Sequence, residues 1–179
     1  MTSLVLERRA AHDRCGLKGP RAAEWLTARG VELPTAPNTW VSTVRGREER
    51  LLVMRLGSGE FFLEAGEGEG AVRDIASAIE ANRGVYPVLR EDLALALSGE
   101  ASLEVLGQVC NVNFAALALD SRPVIMTLMI GVAVLVLPQG TGADGRYRIW
   151  CDPSFGPYLE DSLKTVVIDC GGIHIGGSA

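Results

Sequence analysis

The sequence predicts an α+β fold made of two pseudo-repeated βαβββα halves, with antiparallel sheets packed in one body. Three observations carry this reading. A short motif occurs twice, eighty positions apart, as Gly19-Pro20-Arg21-Ala22-Ala23-Glu24-Trp25-Leu26 and as Gly99-Glu100-Ala101-Ser102-Leu103-Glu104-Val105-Leu106, with Gly, Ala/Ser, Glu and Leu in register. The same order of elements follows each copy: a loop, three strand-like runs, then a helix-like run. At the end of each half the apolar spacing changes from a strand period to a helix period.

In the first half, Trp40 to Val44 reads as a strand, Arg45 to Glu49 as a polar turn, Leu51 to Leu56 as a second strand and Glu60 to Glu64 as a third. Ser58-Gly59 is the turn before the third. From Gly70, the residues Val72, Ile75, Ala76 and Ile79 fall at i, i+3, i+4 and i+7, which places them on one helix face. Asn82 and Gly84 end that helix. The segment Asn82 to Arg90 reads as a connection of ordinary length.

Leu93 to Leu97 opens the second half as a strand. Val124 to Met129, Val132 to Leu137 and Arg146 to Cys151 follow as three more, and Phe155, Tyr158, Leu159 and Leu163 mark the closing helix. The run from Val124 to Leu137 is almost wholly apolar. It has 14 residues, against the roughly 20 a helix needs to cross a bilayer. Its Val and Ile content and the Ile130-Gly131 pair at its centre make it a buried hairpin. Each half has only about 80 residues, so a single domain over 1–179 is expected. Its halves are about 13–82 and 90–166, with 167–179 as a flexible tail that carries Gly171-Gly172-Ile173-His174-Ile175-Gly176-Gly177.

Composition and motifs exclude several function classes. Hydrophobic residues make up 47% and charged residues 22%, as in an ordinary globular domain. A formal charge of −5, with scattered basic residues, gives no nucleic-acid surface. Arg8-Arg9 and Arg45-Arg47-Arg50 read as solvated ends and turns. Met1 to Ala11 is interrupted by Glu7, Arg8 and Arg9, so no secretory leader is expected and the cytoplasm is the expected location. Cys15, Cys110, Cys151 and Cys170 lack the spacing of zinc, iron–sulfur or CxxC sites and read as small buried hydrophobes.

His12 and His174 lie near opposite ends, and neither serine nor cysteine lies in an elbow motif such as GxSxG. Gly57-Ser58-Gly59 joins strands, and Gly66-Glu67-Gly68-Glu69-Gly70 sets carboxylates where a phosphate would be repelled. Asp152 before Pro153 and Ser154 starts a helix, and Glu160-Asp161 reads as its exposed side. No converging catalytic set, cofactor site or metal site is expected on this chain. The loop from Leu33 to Trp40, stiffened by Pro34 and Pro37, is the candidate protein interface. Trp40 is either its anchor or a core plug beneath Trp25.

The string Cys15-Gly16-Leu17-Lys18-Gly19-Pro20-Arg21-Ala22-Ala23-Glu24-Trp25-Leu26, followed by Leu33-Pro34-Thr35-Ala36-Pro37-Asn38-Thr39-Trp40, closely resembles the opening of the gamma subunit of heterotetrameric sarcosine oxidase. The resemblance continues in Arg55-Leu56-Gly57 and Glu60-Phe61-Phe62-Leu63-Glu64, then in Leu95-Ala96-Leu97-Ser98-Gly99, Val105-Leu106 and Cys110. It ends in Tyr147-Arg148-Ile149-Trp150 and Ser154-Phe155-Gly156-Pro157-Tyr158-Leu159, and so spans roughly Cys15 to Leu163. That family is similar in fold to the folate-binding aminomethyltransferases (glycine-cleavage T-proteins). Where those carry an Asp and a Ser this chain has Tyr86-Pro87-Val88-Leu89-Arg90, so folate binding is not expected of this chain alone.

The resemblance implies a non-catalytic, structural subunit. Its complex would demethylate sarcosine oxidatively to glycine, with the one-carbon unit passed to tetrahydrofolate or released as formaldehyde. Partners would be alpha, beta and delta subunits, which would hold FAD, FMN, NAD, tetrahydrofolate and zinc, with none on this chain. Three alternatives stand beside it: the equivalent subunit of a related secondary-amine dehydrogenase of the N-methylglutamate type, a stand-alone folate-binding protein of the aminomethyltransferase type, and a small-molecule-sensing or other interaction module built on a duplicated α+β fold.

Overall fold

The computed structural model describes residues 4–9, 13–45, 48–65, 70–79, 84–140 and 144–176. In chain order its elements are β1 (Val5–Arg8), β2 (Arg14–Lys18), α1 (Ala22–Thr27), β3 (Thr39–Arg45), β4 (Glu48–Arg55), β5 (Glu60–Ala65), α2 (Ala71–Ile79), β6 (Tyr86–Val88), β7 (Leu93–Ser98), α3 (Ser102–Val109), β8 (Ile125–Met129), β9 (Val132–Gly140), β10 (Arg146–Cys151), α4 (Gly156–Asp169) and β11 (Ile173–Ile175). They fall into two units, His12–Glu91 and Met1–Ala11 with Asp92–Ala179.

In the unit His12–Glu91, the strands form an antiparallel sheet in the order β3-β4-β5-β2-β6. Alternation along the strands aims Cys15, Leu17, Val53, Phe61 and Leu63 at α1 and α2. Trp25 and Leu26 of α1 and Val72, Ile75 and Ile79 of α2 complete that core. The helical spacing read from the sequence is therefore the buried face of α2. Phe61, Leu63 and Leu26 are fully buried, and each contributes about 1.5–3 kcal/mol of apolar transfer.

The other unit repeats the plan. Its sheet runs β11-β1-β7-β10-β9-β8. Leu95, Leu97, Tyr147, Ile149, Val134 and Val136 face α3 and α4, from which Val105, Leu106, Leu159, Leu163 and Val167 enter the core. Val124 to Leu137 is the expected hairpin. Ile130 and Gly131 form its two-residue turn with φ of +50° and +82°, the doubly positive pattern whose twist matches paired strands.

The α+β class and the βαβββα order of each half are as expected from the sequence; several details differ. The segment Asn82 to Arg90 holds a strand, β6, with Pro87 inside it. Proline hid it from a sequence reading, yet β6 is an edge strand, where a missing N–H is tolerated. Val5–Arg8, read only for its lack of a leader, is β1, paired with β7. Of the polar turn expected over Arg45 to Glu49, Arg45 belongs to β3 and Glu48 and Glu49 to β4.

The expected tail over 167–179 instead carries the end of α4 and the strand β11, which pairs parallel to β1. Phe155, just before α4, and Tyr158 on its first turn are exposed and Glu160 is buried, the reverse of the expected faces, while Asp161 is exposed as expected. His12, Arg47, Gly66 to Glu69, Asn82 and Gly177 lie outside the described residues.

Candidate functional site

The loop that leads from α1 to β3 is built around one arginine. Leu33 packs against the core and Pro34 is buried, which anchors the start of the loop; Thr35, Ala36, Pro37 and Asn38 are exposed. Asn38 adopts φ +57°, a conformation asparagine tolerates better than most residues, and its N–H donates to the carbonyl of Arg55 at 2.7 Å. Thr39 Oγ1 donates to the carbonyl of Ala36 at 2.6 Å.

The side chain of Arg55, at the end of β4, reaches back over this turn. Nη1 donates to the carbonyls of Pro34 and Thr35, both at 3.2 Å. Nη2 donates to Ser58 O at 3.0 Å and Nε to Gly57 O at 3.2 Å, while the guanidinium lies 5.7 Å from the centre of the Phe61 ring. One planar cation thus ties the Leu33–Trp40 loop to the β4–β5 turn through four carbonyls. Its five donors in a fixed fork suit that task and the ammonium of lysine does not. Two separate stretches of the family resemblance, Leu33 to Trp40 and Arg55-Leu56-Gly57, are a single structural device.

Trp40 is the second residue of β3, opposite Met54. It is half-buried and stands outside the core that holds Trp25, whereas its neighbour Val41, on the other face of the strand, packs against that core. The reading of Trp40 as a plug beneath Trp25 is therefore corrected. What covers Trp25 is Arg29: its guanidinium stacks 3.6 Å from the ring centre, and Nη1 donates to Trp25 O at 3.3 Å. Beyond Arg29 opens a cleft of about 480 Å³ between the segment after α1 and the start of α2, with Glu32 and Asp74 on its wall and neither histidine nor cysteine among the described lining residues.

Asp152, Glu160 and His174, also singled out in the sequence, are engaged in holding the fold. Asp152 Oδ1 accepts from Ser154 N at 2.8 Å and from Ser154 Oγ at 2.5 Å, and these bonds hold its carboxyl below the usual range. Glu160 accepts from Arg8 Nη1 at 3.2 Å and lies 3.1 Å from His174 Nε2, so His174 is brought to a carboxylate. Cys15, Cys110 and Cys151 are buried and Cys170 is half-buried. Burial pushes the Cys15 thiol up to about 11; burial, then the charges of Asp92 and Asp152, do the same for Cys151. Among the described residues no group of three His, Cys, Asp or Glu side chains could hold a metal, and no helix is long and apolar enough to cross a membrane.

No family model and no curated protein matches this sequence. Among solved structures, heterotetrameric sarcosine oxidase from Corynebacterium sp. U-96, in complex with pyrrole 2-carboxylate, matches with a TM-score of 0.73 and 25% identity, over 94% of this chain and 85% of that one. The chain has a sarcosine oxidase gamma-subunit-like fold. The glycine cleavage system aminomethyltransferase T from Bartonella henselae also matches, with a TM-score of 0.68 and 17% identity, over 97% of this chain and 48% of that one. That likeness is one of fold, and the chain spans about half the length of that protein. The resemblance carried by Cys15 to Leu163 thus extends to the three-dimensional structure. The Arg55-braced loop belongs to a fold that occurs within a multi-subunit oxidase.

Proposed function

We propose that this chain is a non-catalytic subunit of a heterotetrameric, sarcosine oxidase-type complex, joined to alpha, beta and delta partners through the Leu33–Trp40 loop. The observation that carries this reading is the match to sarcosine oxidase over nearly the whole of both chains. The braced loop supports it, because a surface already held in shape loses less conformational entropy when a partner docks. In this reading the complex demethylates sarcosine to glycine, FAD, FMN, NAD, tetrahydrofolate and zinc reside on the other subunits, and the cytoplasm is the working compartment. A dehydrogenase acting on N-methylglutamate would use the chain in the same way. The second reading, folate binding by this chain itself, draws on the aminomethyltransferase fold.

The test is purification of the tagged chain from its native host grown on sarcosine, with identification of what comes with it. Co-elution in fixed ratio with flavin-bearing subunits and sarcosine-oxidising activity is the expected result. Recovery of the chain free of partners from cells that oxidise sarcosine would remove the proposal. The isolated chain is expected to be colourless and inactive towards sarcosine. Saturable tetrahydrofolate binding to the isolated chain would favour the second reading.

A further inference from the structure

The two units differ in one strand, and the difference is systematic. The order β3-β4-β5-β2 in one corresponds to β8-β9-β10-β7 in the other. Leu17 pairs with Phe61 as Leu97 pairs with Tyr147, and Gly16 with Phe62 as Ala96 with Arg148. After its last helix each unit turns at a glycine with positive φ, Gly84 at +82° or Gly171 at +78°, and begins a short strand two residues later. These strands are β6 and β11, which run antiparallel to β2 and to β7 respectively.

Their levels match as well. On β2, Lys18, Leu17 and Gly16 face Tyr86, Pro87 and Val88 of β6. On β7, the equivalent Ser98, Leu97 and Ala96 face Val5, Leu6 and Glu7 of β1, and these in turn face Ile173, His174 and Ile175 of β11. β11 thus sits at the height of β6 but one strand further out, with β1 in the place next to β7. Glu160 of α4 reaches both competitors, through Arg8 on β1 and His174 on β11. Gly172 allows the close approach, since a Cβ there would lie 2.7 Å from side-chain carbons of Leu4 and Val167.

We infer that β1 is an intercalated, exchangeable strand: it occupies the position that the internal repeat reserves for β11, and when it leaves, β11 closes onto β7. The groove between β7 and β11 is then an acceptor for an extended segment that runs antiparallel to β7, filled here by the chain's own amino-terminal arm. The driving force for closure is the row of β7 ladder groups that the departure of β1 would leave unpaired.

The test is made on the full chain with Ala96→Cys and Ile175→Cys, in a Cys170→Ser background. With β1 in place these positions are two strand spacings apart, about 9–10 Å, beyond the reach of a disulfide. Leu6→Asp, which puts a charge at a fully buried position, expels β1; adding His174→Leu restores an apolar side chain at that level. A disulfide that forms under mild oxidation in either β1-expelled variant, and not in the chain with Leu6, is the expected result. No crosslink in variants that still unfold cooperatively would overturn the inference. Loss of folding in both variants would overturn it equally, since β1 would then be an integral strand.

Discussion

Gly19 and Gly99 make the same hydrogen bond from the same backbone state. Their φ angles are +142° and +112°, and their N–H groups donate to the carbonyls of Gly59 at 2.9 Å and Gly145 at 3.0 Å. Each glycine carbonyl then accepts from the residue three positions on, Ala22 or Ser102, at 3.1 Å. The repeated motif is therefore a strand-to-helix turn, tied across its sheet to the residue before the adjacent strand. Only glycine is at ease in such a turn, so the motif marks geometry rather than chemistry.

Gly19→Ala is expected to be among the costliest small substitutions in the chain. An added Cβ would lie 2.3 Å from the carbonyl oxygen of Gly84, which is backbone and cannot swing aside. A loss of about 2–4 kcal/mol follows from strain and displaced backbone. Gly131→Ala is the control: its φ is +82° but nothing lies within 4 Å of the new methyl, so about 1–2 kcal/mol is expected. Urea unfolding of both variants tests the order, and equal losses would contradict it.

The sequence made the repeat legible because the turn needs glycine and because apolar periodicity survives wherever one face is buried, as at Val72, Ile75 and Ile79. It was least legible at the shortest strands. β1, β6 and β11 have three or four residues each, too few to show a period, and β6 contains Pro87. Glu160 looked exposed from its place in a charged pair, since only the tertiary approach of Arg8 and His174 allows its burial. The stiffness of the Leu33–Trp40 loop was legible from its prolines. Its brace was not, because Arg55 acts through carbonyls about twenty residues away in sequence.

Arg55→Lys is expected to behave almost like Arg55→Ala. A lysine keeps the charge but cannot span four carbonyls that lie on two sides of a planar fork. Loss of these charge-assisted bonds, partly offset by water, should cost about 1–3 kcal/mol. Limited proteolysis should then cut within Thr35 to Asn38 faster than in the parent chain. Full retention of stability and protease resistance by the lysine variant would show that charge alone holds the loop.

Stability is expected to fall on the alkaline side. The thiols of Cys15 and Cys151 are pushed up to about 11 from a usual 9.0, so the folded chain holds these protons more tightly than the unfolded chain does. Their contribution is fully present below pH 9 and is lost as pH rises towards 11. Unfolding midpoints between pH 8 and 10.5 should fall less steeply in Cys15→Ala than in the parent. At pH 8 the folded protein should react with iodoacetamide at the half-buried Cys170 before Cys15 or Cys151.

Trp40→Ala is expected to separate assembly from folding. The residue is half-buried on an edge strand, outside the core that holds Trp25, so truncation opens no cavity in that core and should lower the melting temperature only modestly. A tryptophan beside a braced, largely exposed loop is also the kind of rigid apolar group that carries much of the energy of an interface. The expected outcome is a folded chain with near-parental circular dichroism that no longer co-purifies with its partners. A chain that loses several kcal/mol of stability yet still assembles would place Trp40 in the structural interior and move the interface elsewhere. Pairing the variant with Arg55→Ala sharpens the test. If the loop and Trp40 form one docking surface, each change should weaken assembly and the double change should add little more, because the second removes contacts already lost.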